Sequence, residues 1–148
     1  GKTLGCALIT IEGLTVFEAL YPAGGGMVVR RALAPFDKAE FAAGLLGDIR
    51  AIFQPPTADL AITGQEEAAT AVCRYKKAGG GVVDIERTAD DCWQIKEYSS
   101  HLLLQRAIIG RSCKKMGPAR IAEYLELKTY GQNGYTLKMS LQRADTLP

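Results

Sequence analysis

An α/β fold is what the sequence predicts, on three observations: strand-like runs at the N-terminus, a helical apolar period over residues 37–53, and a later alternation of short apolar runs with helical spacing. At 148 residues the chain has the length of a single domain with one core. Its composition, 47% hydrophobic and 23% charged, is that of a folded globular protein and excludes disordered and fibrous classes. The core is expected over about residues 3–115, with a short C-terminal extension over about 117–148.

Taken in order, Thr3 to Glu12 is β-branched and apolar and stops at Gly13, so it reads as a first strand buried mostly on both faces. Leu14–Tyr21 and Met27–Leu33 flank a Gly-rich turn, which predicts a hairpin and a three-stranded antiparallel meander. Asp37 and Glu40 fit a capping box. They open a helix carrying Phe41, Leu45, Ile49 and Ile52, widened by Ala42, Leu46 and Phe53 and stopped at Gln54-Pro55-Pro56. Asp59–Thr63 reads as a short strand, and Thr63-Gly64-Gln65-Glu66 as the start of a second helix ending at Gly79. Gly81–Ile85 is then a fifth strand, completing a parallel crossover. Thr88 to Asp91 caps a long helix through Trp93, Ile95, Tyr98, Leu102 and Ile109 to about Lys115. Pro118 begins a short final helix, Tyr130–Tyr135 is a turn, and Thr136–Leu141 is open between strand and helix.

The apolar runs are short, such as Ala7-Leu8-Ile9, against the roughly 18 residues of a membrane span. The N-terminus carries no signal-peptide pattern, so a soluble, cytoplasmic protein without a membrane partner is expected. Cys6, Cys73, Cys92 and Cys113 are dispersed, no Cys-x-x-Cys pair occurs, and His101 is the single histidine. That pattern argues against a zinc site and a disulfide scaffold, predicts no metal, and favours a reducing compartment. Cys6 and Cys73 read as small apolar fillers, and His101 as a core or surface histidine inside the long helix.

Function rests on two places. The net charge is +2, but residues 1–72 carry five basic and eight acidic groups while residues 73–148 carry thirteen and eight. Within the basic half, Arg106, Arg111, Lys114, Lys115 and Arg120 span residues 101–120 without an acid among them. Neighbouring cations of this kind neutralise successive phosphates, so they are candidate nucleic-acid contacts; the alternative is a solvated helix end whose cations suit the dipole. The second place is Thr63-Gly64-Gln65, at the predicted C-terminal end of a strand, where open α/β sheets bind ligands. Glu66 and Glu67 behind it suit a divalent cation, or simply stabilise the helix start. The Gly24–Gly26 and Gly79–Gly81 triplets lack the order strand, glycines, helix that a phosphate loop needs, and read as turns.

The order of elements, with Phe53-Gln54-Pro55, Asp59-Leu60-Ala61-Ile62 and Gln65, resembles the ribonuclease H-like superfamily and its Holliday-junction resolvases. The resemblance covers about residues 3–115 as topology and about a dozen residues as sequence. It implies carboxylates on the first strand, the fourth strand and a late helix that clamp two Mg²⁺ ions. The first strand here lacks the aspartate; its acid is Glu12, and the matching positions are Glu66 and Asp91.

Three readings follow: a non-catalytic or degenerate domain of that type binding DNA or RNA through its basic C-terminal half; a Mg²⁺-dependent resolvase-type nuclease using Glu12, Glu66 and Asp91; and an interaction module or assembly subunit, as a homo-oligomer or with a protein partner. The first needs no cofactor.

Overall fold

The computed structural model describes residues 3–22, 26–54, 56, 61–66, 70–117, 119–132 and 134–142, with the backbone alone at 61–66, 70, 71 and 119. Its contacts group into two compact units, Gly1–Pro55 and Pro56–Pro148.

In the first unit, β1 (Leu4–Ile9), β2 (Thr15–Tyr21) and β3 (Val28–Ala32) form an antiparallel sheet in sequence order, and α1 (Ala39–Phe53) follows. β1 alternates between half-buried and exposed positions, so it covers a core on one face only, in place of the doubly buried strand expected of Thr3 to Glu12. Gly13, at φ 87°, supplies the left-handed residue of the β1–β2 turn. The core consists of Phe17 and Ala19 from β2 against Ala42 and Leu46 from α1, with Cys6, Leu8, Phe36 and Leu45 packed around them. Phe41 meets Phe17 edge-on at 6.1 Å. Lys38 is the N-cap residue and makes no side-chain cap, so the Asp37–Glu40 capping box is not formed. Phe53, expected in the core, is 65% exposed: the apolar stripe is wider than the sheet it faces.

The second unit holds one seven-stranded sheet: β4 (Ala61–Glu66), β5 (Thr70–Lys76), β6 (Val82–Arg87), β7 (Trp93–Tyr98), β8 (Leu104–Met116), β9 (Ala119–Thr129) and β10 (Thr136–Ser140). Each strand pairs antiparallel with the next, an up-and-down meander. The protein is therefore mostly β, with a single helix among the described residues. This overturns the α/β order and, with it, the ribonuclease H-like resemblance, which requires a parallel crossover. The second helix is the β4–β5 hairpin, the long helix is β7 and β8, and the last helix is β9. The tail left open between strand and helix is β10.

The physical reason lies in residues that serve either structure. Leu102, Leu104, Ile108 and Ile109 fit a helical stripe, but Ile108-Ile109 is β-branched and Gly110 costs a helix about 1 kcal/mol relative to alanine. In the sheet Leu104, Ile108 and Ile109 find cross-strand partners, while Leu102 lies in the β7–β8 turn. Cys73, Ile85, Ile95, Ile108, Leu127 and Leu137 stand opposite one another in turn, an apolar row across six strands. Ile108 and Leu127 in that row are fully buried. The other face carries a row from Arg74 through Asp84, Lys96, Ala107 and Lys128 to Thr136.

Cys92 and Cys113 form a disulfide, Cα atoms 5.2 Å apart, that ties the β6–β7 connection to β8. This corrects the expectation from dispersed spacing, which argues against a disulfide scaffold. With residue 92 before β7 and residue 113 on β8, the pair is brought together across the hairpin.

Candidate functional site

The sheet places the five cations of the basic segment in different settings. Arg106 bonds Glu97 at 3.1 Å, Lys114 pairs with Glu123, and Arg120 pairs with Asp91. Glu97, Glu123 and Asp91 lie outside residues 101–120, so a count along the chain does not find them. Arg111 and Lys115 remain exposed and, among the described residues, form no ion pair with an acid.

Arg111 opens onto a cleft of about 310 Å³ lined by Arg111, Tyr124, Leu125, Glu126, Lys138, Met139 and Ser140. Register explains the assembly. Arg111 on β8, Tyr124 on β9 and Ser140 on β10 lie opposite one another, and Glu126 and Lys138 form the next pair along the same face. Neighbouring strands lie about 4.8 Å apart, so the guanidinium and the ammonium converge from two strands away. Tyr124 is 54% exposed and contributes a ring face beside them. Asp90, held below the usual carboxylate range first by the Thr88 hydroxyl, also feels the charge of Arg111. Two cations, a phenol and a hydroxyl facing one carboxylate give a cleft of net charge +1 that offers hydrogen-bond donors to an anionic group.

The remaining predicted residues lie on separate elements. Thr63, Gly64 and Gln65 lie inside β4, paired with Cys73, Val72 and Ala71, so no helix N-terminus follows them. Glu67 lies outside the described residues. Glu12 sits in the β1–β2 turn of the first unit, fully exposed, and is held below the usual range first by the Thr10 hydroxyl. Glu66 ends β4, in the second unit. Asp91, in the β6–β7 turn, is bonded by Arg87 at 2.7 Å and paired with Arg120. Among the described residues no group of three His, Cys, Asp or Glu is placed to hold a metal ion. His101 is exposed in the β7–β8 turn, and Cys73 lies in β5.

Tyr124, Lys138 and Ser140 are the cleft residues that sequence reasoning missed. A signal for Tyr124 existed: Leu125 and Leu127 alternate with Tyr124, Glu126 and Lys128, the period-2 pattern of a strand. Among the described residues no helix is long and apolar enough to cross a membrane. Compared with models of protein families, with curated proteins and with solved structures, the chain matches none.

Proposed function

We propose that this chain is a binding domain rather than an enzyme, and that β8, β9 and β10 hold the anionic group of a small ligand in the Arg111–Lys138 cleft. The observation that carries the reading is the convergence of these two cations, neither paired with an acid among the described residues, in a cleft of about 310 Å³. A phosphate or carboxylate suits the site: guanidinium offers a planar donor fork, the ammonium a point charge, and Tyr124 and Ser140 add hydroxyl donors. The Cys92–Cys113 disulfide supports an oxidising compartment in place of the expected cytoplasm, because such bonds persist where thiols are not kept reduced.

A second reading, contact with single-stranded DNA or RNA, draws on Lys128 and Lys115. Lys128 shares the face of Arg111 and Lys138, and exposed Tyr124 offers a stacking surface beside a cationic groove. The two readings separate in one calorimetric titration series, using ribose 5-phosphate, inorganic phosphate and a single-stranded oligonucleotide at low and raised salt. The cleft reading expects the small phosphates to bind with modest salt dependence, and Arg111→Ala and Lys138→Ala each to weaken binding about tenfold, the loss of one charge-assisted contact. Binding confined to the oligonucleotide, steeply salt-dependent and spread over Arg111, Lys115, Lys128 and Lys138, favours the nucleic-acid reading instead. No binding of any of the three sinks both.

A further inference from the structure

The turns at one end of the second sheet carry features that neither the fold nor the cleft uses. β5–β6, β7–β8 and β9–β10 all turn there. Two contacts string them together: a Cβ on Gly80 would stand 3.4 Å from Cβ of Ser100, and the Tyr130 amide donates to the Gln105 carbonyl at 2.9 Å. The middle turn projects Leu102 and Leu103, each 68% exposed. Leu102 sits at φ 59°, a left-handed conformation that costs a side-chain-bearing residue about 1–2 kcal/mol and that glycine or asparagine adopts more readily. The turn is nevertheless fixed, because Ser99 accepts the Leu102 amide at 3.0 Å on its carbonyl and the Leu103 amide at 3.2 Å on its hydroxyl.

Behind the leucines on β8 and β9 come amphipathic groups, then a cation. Tyr130 is level with Gln105, two residues up the strand from Leu103, a rise of about 7 Å. Tyr130 and Tyr135 are 42% and 41% exposed. Lys128 extends over the Tyr130 ring, its ammonium 5.1 Å from the centroid, and Lys76 is exposed on the neighbouring hairpin. The nearby acid, Glu97, is already engaged by Lys77 and Arg106. Along β8 and β9 the order from the tip inward is leucine, tyrosine, lysine, with Lys76 on β5 level with Leu104. That is the order of a lipid–water interface: apolar side chains among the acyl chains, amphipathic rings at headgroup depth, and snorkelling cations among the phosphates. A protein groove would accept two leucines, but it has no need of the graded ring and charge behind them.

We propose that this end of the sheet docks on an anionic phospholipid surface, with Leu102 and Leu103 inserted and Lys128 and Lys76 on lipid phosphates. Leu102 and Leu103 lie outside the lining of the Arg111–Lys138 cleft, and Lys128 lies two residues along β9 from its Glu126. The test is sedimentation of the purified full chain with vesicles of phosphatidylcholine alone or mixed with phosphatidylglycerol. The chain is expected to pellet with the mixed vesicles and to be released by raised salt. Leu102→Ser combined with Leu103→Ser should weaken binding at least about tenfold, as expected for two apolar side chains returned to water. Lys128→Glu should weaken binding to mixed vesicles and leave residual binding to phosphatidylcholine unchanged. Both leucines are exposed, so circular dichroism of the double variant should match the parent. Failure of the parent chain to bind mixed vesicles overturns the proposal, as does binding indifferent to the leucine pair. Leucine-dependent self-association in the ultracentrifuge without vesicle binding overturns it as well, and assigns the tip to a second copy of this chain.

Discussion

Gly110 shows how little freedom single positions have inside the sheet. A Cβ there would lie 3.0 Å from Cβ of Ala122, 3.2 Å from Sγ of Cys92 and 3.2 Å from the Trp93 ring. None of these can retreat freely, since Ala122 and Cys92 are themselves buried. Gly110→Ala is therefore expected to lower unfolding stability by about 1–3 kcal/mol, the usual cost of overpacking, measured by urea denaturation. The disulfide beside it closes a span of 21 residues, and reduction or the double change Cys92→Ser, Cys113→Ser should remove about 3 kcal/mol. Alkylation of the unreduced protein should modify Cys6 and Cys73 and spare Cys92 and Cys113. Labelling of all four would mean the bridge does not form. Burial pushes the Cys6 thiol up, so its labelling at neutral pH should be slow.

At the scale of elements, β5, β6 and β7 are joined on their polar face by a charge ladder. Arg74 grips Asp84 with two bonds of 2.7 and 2.6 Å, and Glu86 accepts Lys96 at 3.1 and 3.0 Å. The Asp84 side chain is 5% exposed and that of Arg74 is 52% exposed, so a freed guanidinium can return to water. Arg74→Ala strands the buried carboxylate and should cost more than Asp84→Asn, for which about 1 kcal/mol is expected; a reversed order in urea melts would contradict the ladder.

Lys96 has a distinct pH signature. Burial pulls its ammonium down, but the hydrogen bond and charge of Glu86 outweigh it and hold the group above its ordinary value of 10.5. A folded-state value above the unfolded one makes this contribution complete at neutral pH. It is lost as the pH rises above about 10.5. The gap in urea midpoint between the parent and Lys96→Met should be open near neutrality and shrink in strong alkali.

For the whole molecule, the basic character of residues 73–148 was legible in the sequence, but where it can act was not. Arg106, Lys114 and Arg120 are paired with acids that no linear window groups with them, and the exposed cationic face is assembled by register from Arg111, Lys128 and Lys138. The first sheet and α1 were legible because their signals are local: a Gly-rich hairpin, a helical stripe and a proline stop. β5, β7, β8 and β9 were not, and β4 only over Ala61–Thr63 of the strand expected at Asp59–Thr63, because they are stabilised by partners distant in sequence, and runs of alanine, leucine and charged residues satisfy helical and strand periods alike.

By itself, then, the sequence determined a folded globular composition, the meander-and-helix N-terminal part, the turns at Gly79–Gly81 and at residues 130–135, and a basic C-terminal half. Only the tertiary structure decided that residues 61–140 form one antiparallel sheet, that Cys92 meets Cys113, and that Arg111 and Lys138 share a cleft while Leu102 and Leu103 share a tip. Helical spacing is written within a few residues, whereas strand pairing is a property of two segments at once, and the better-satisfied pairing overrides the local preference.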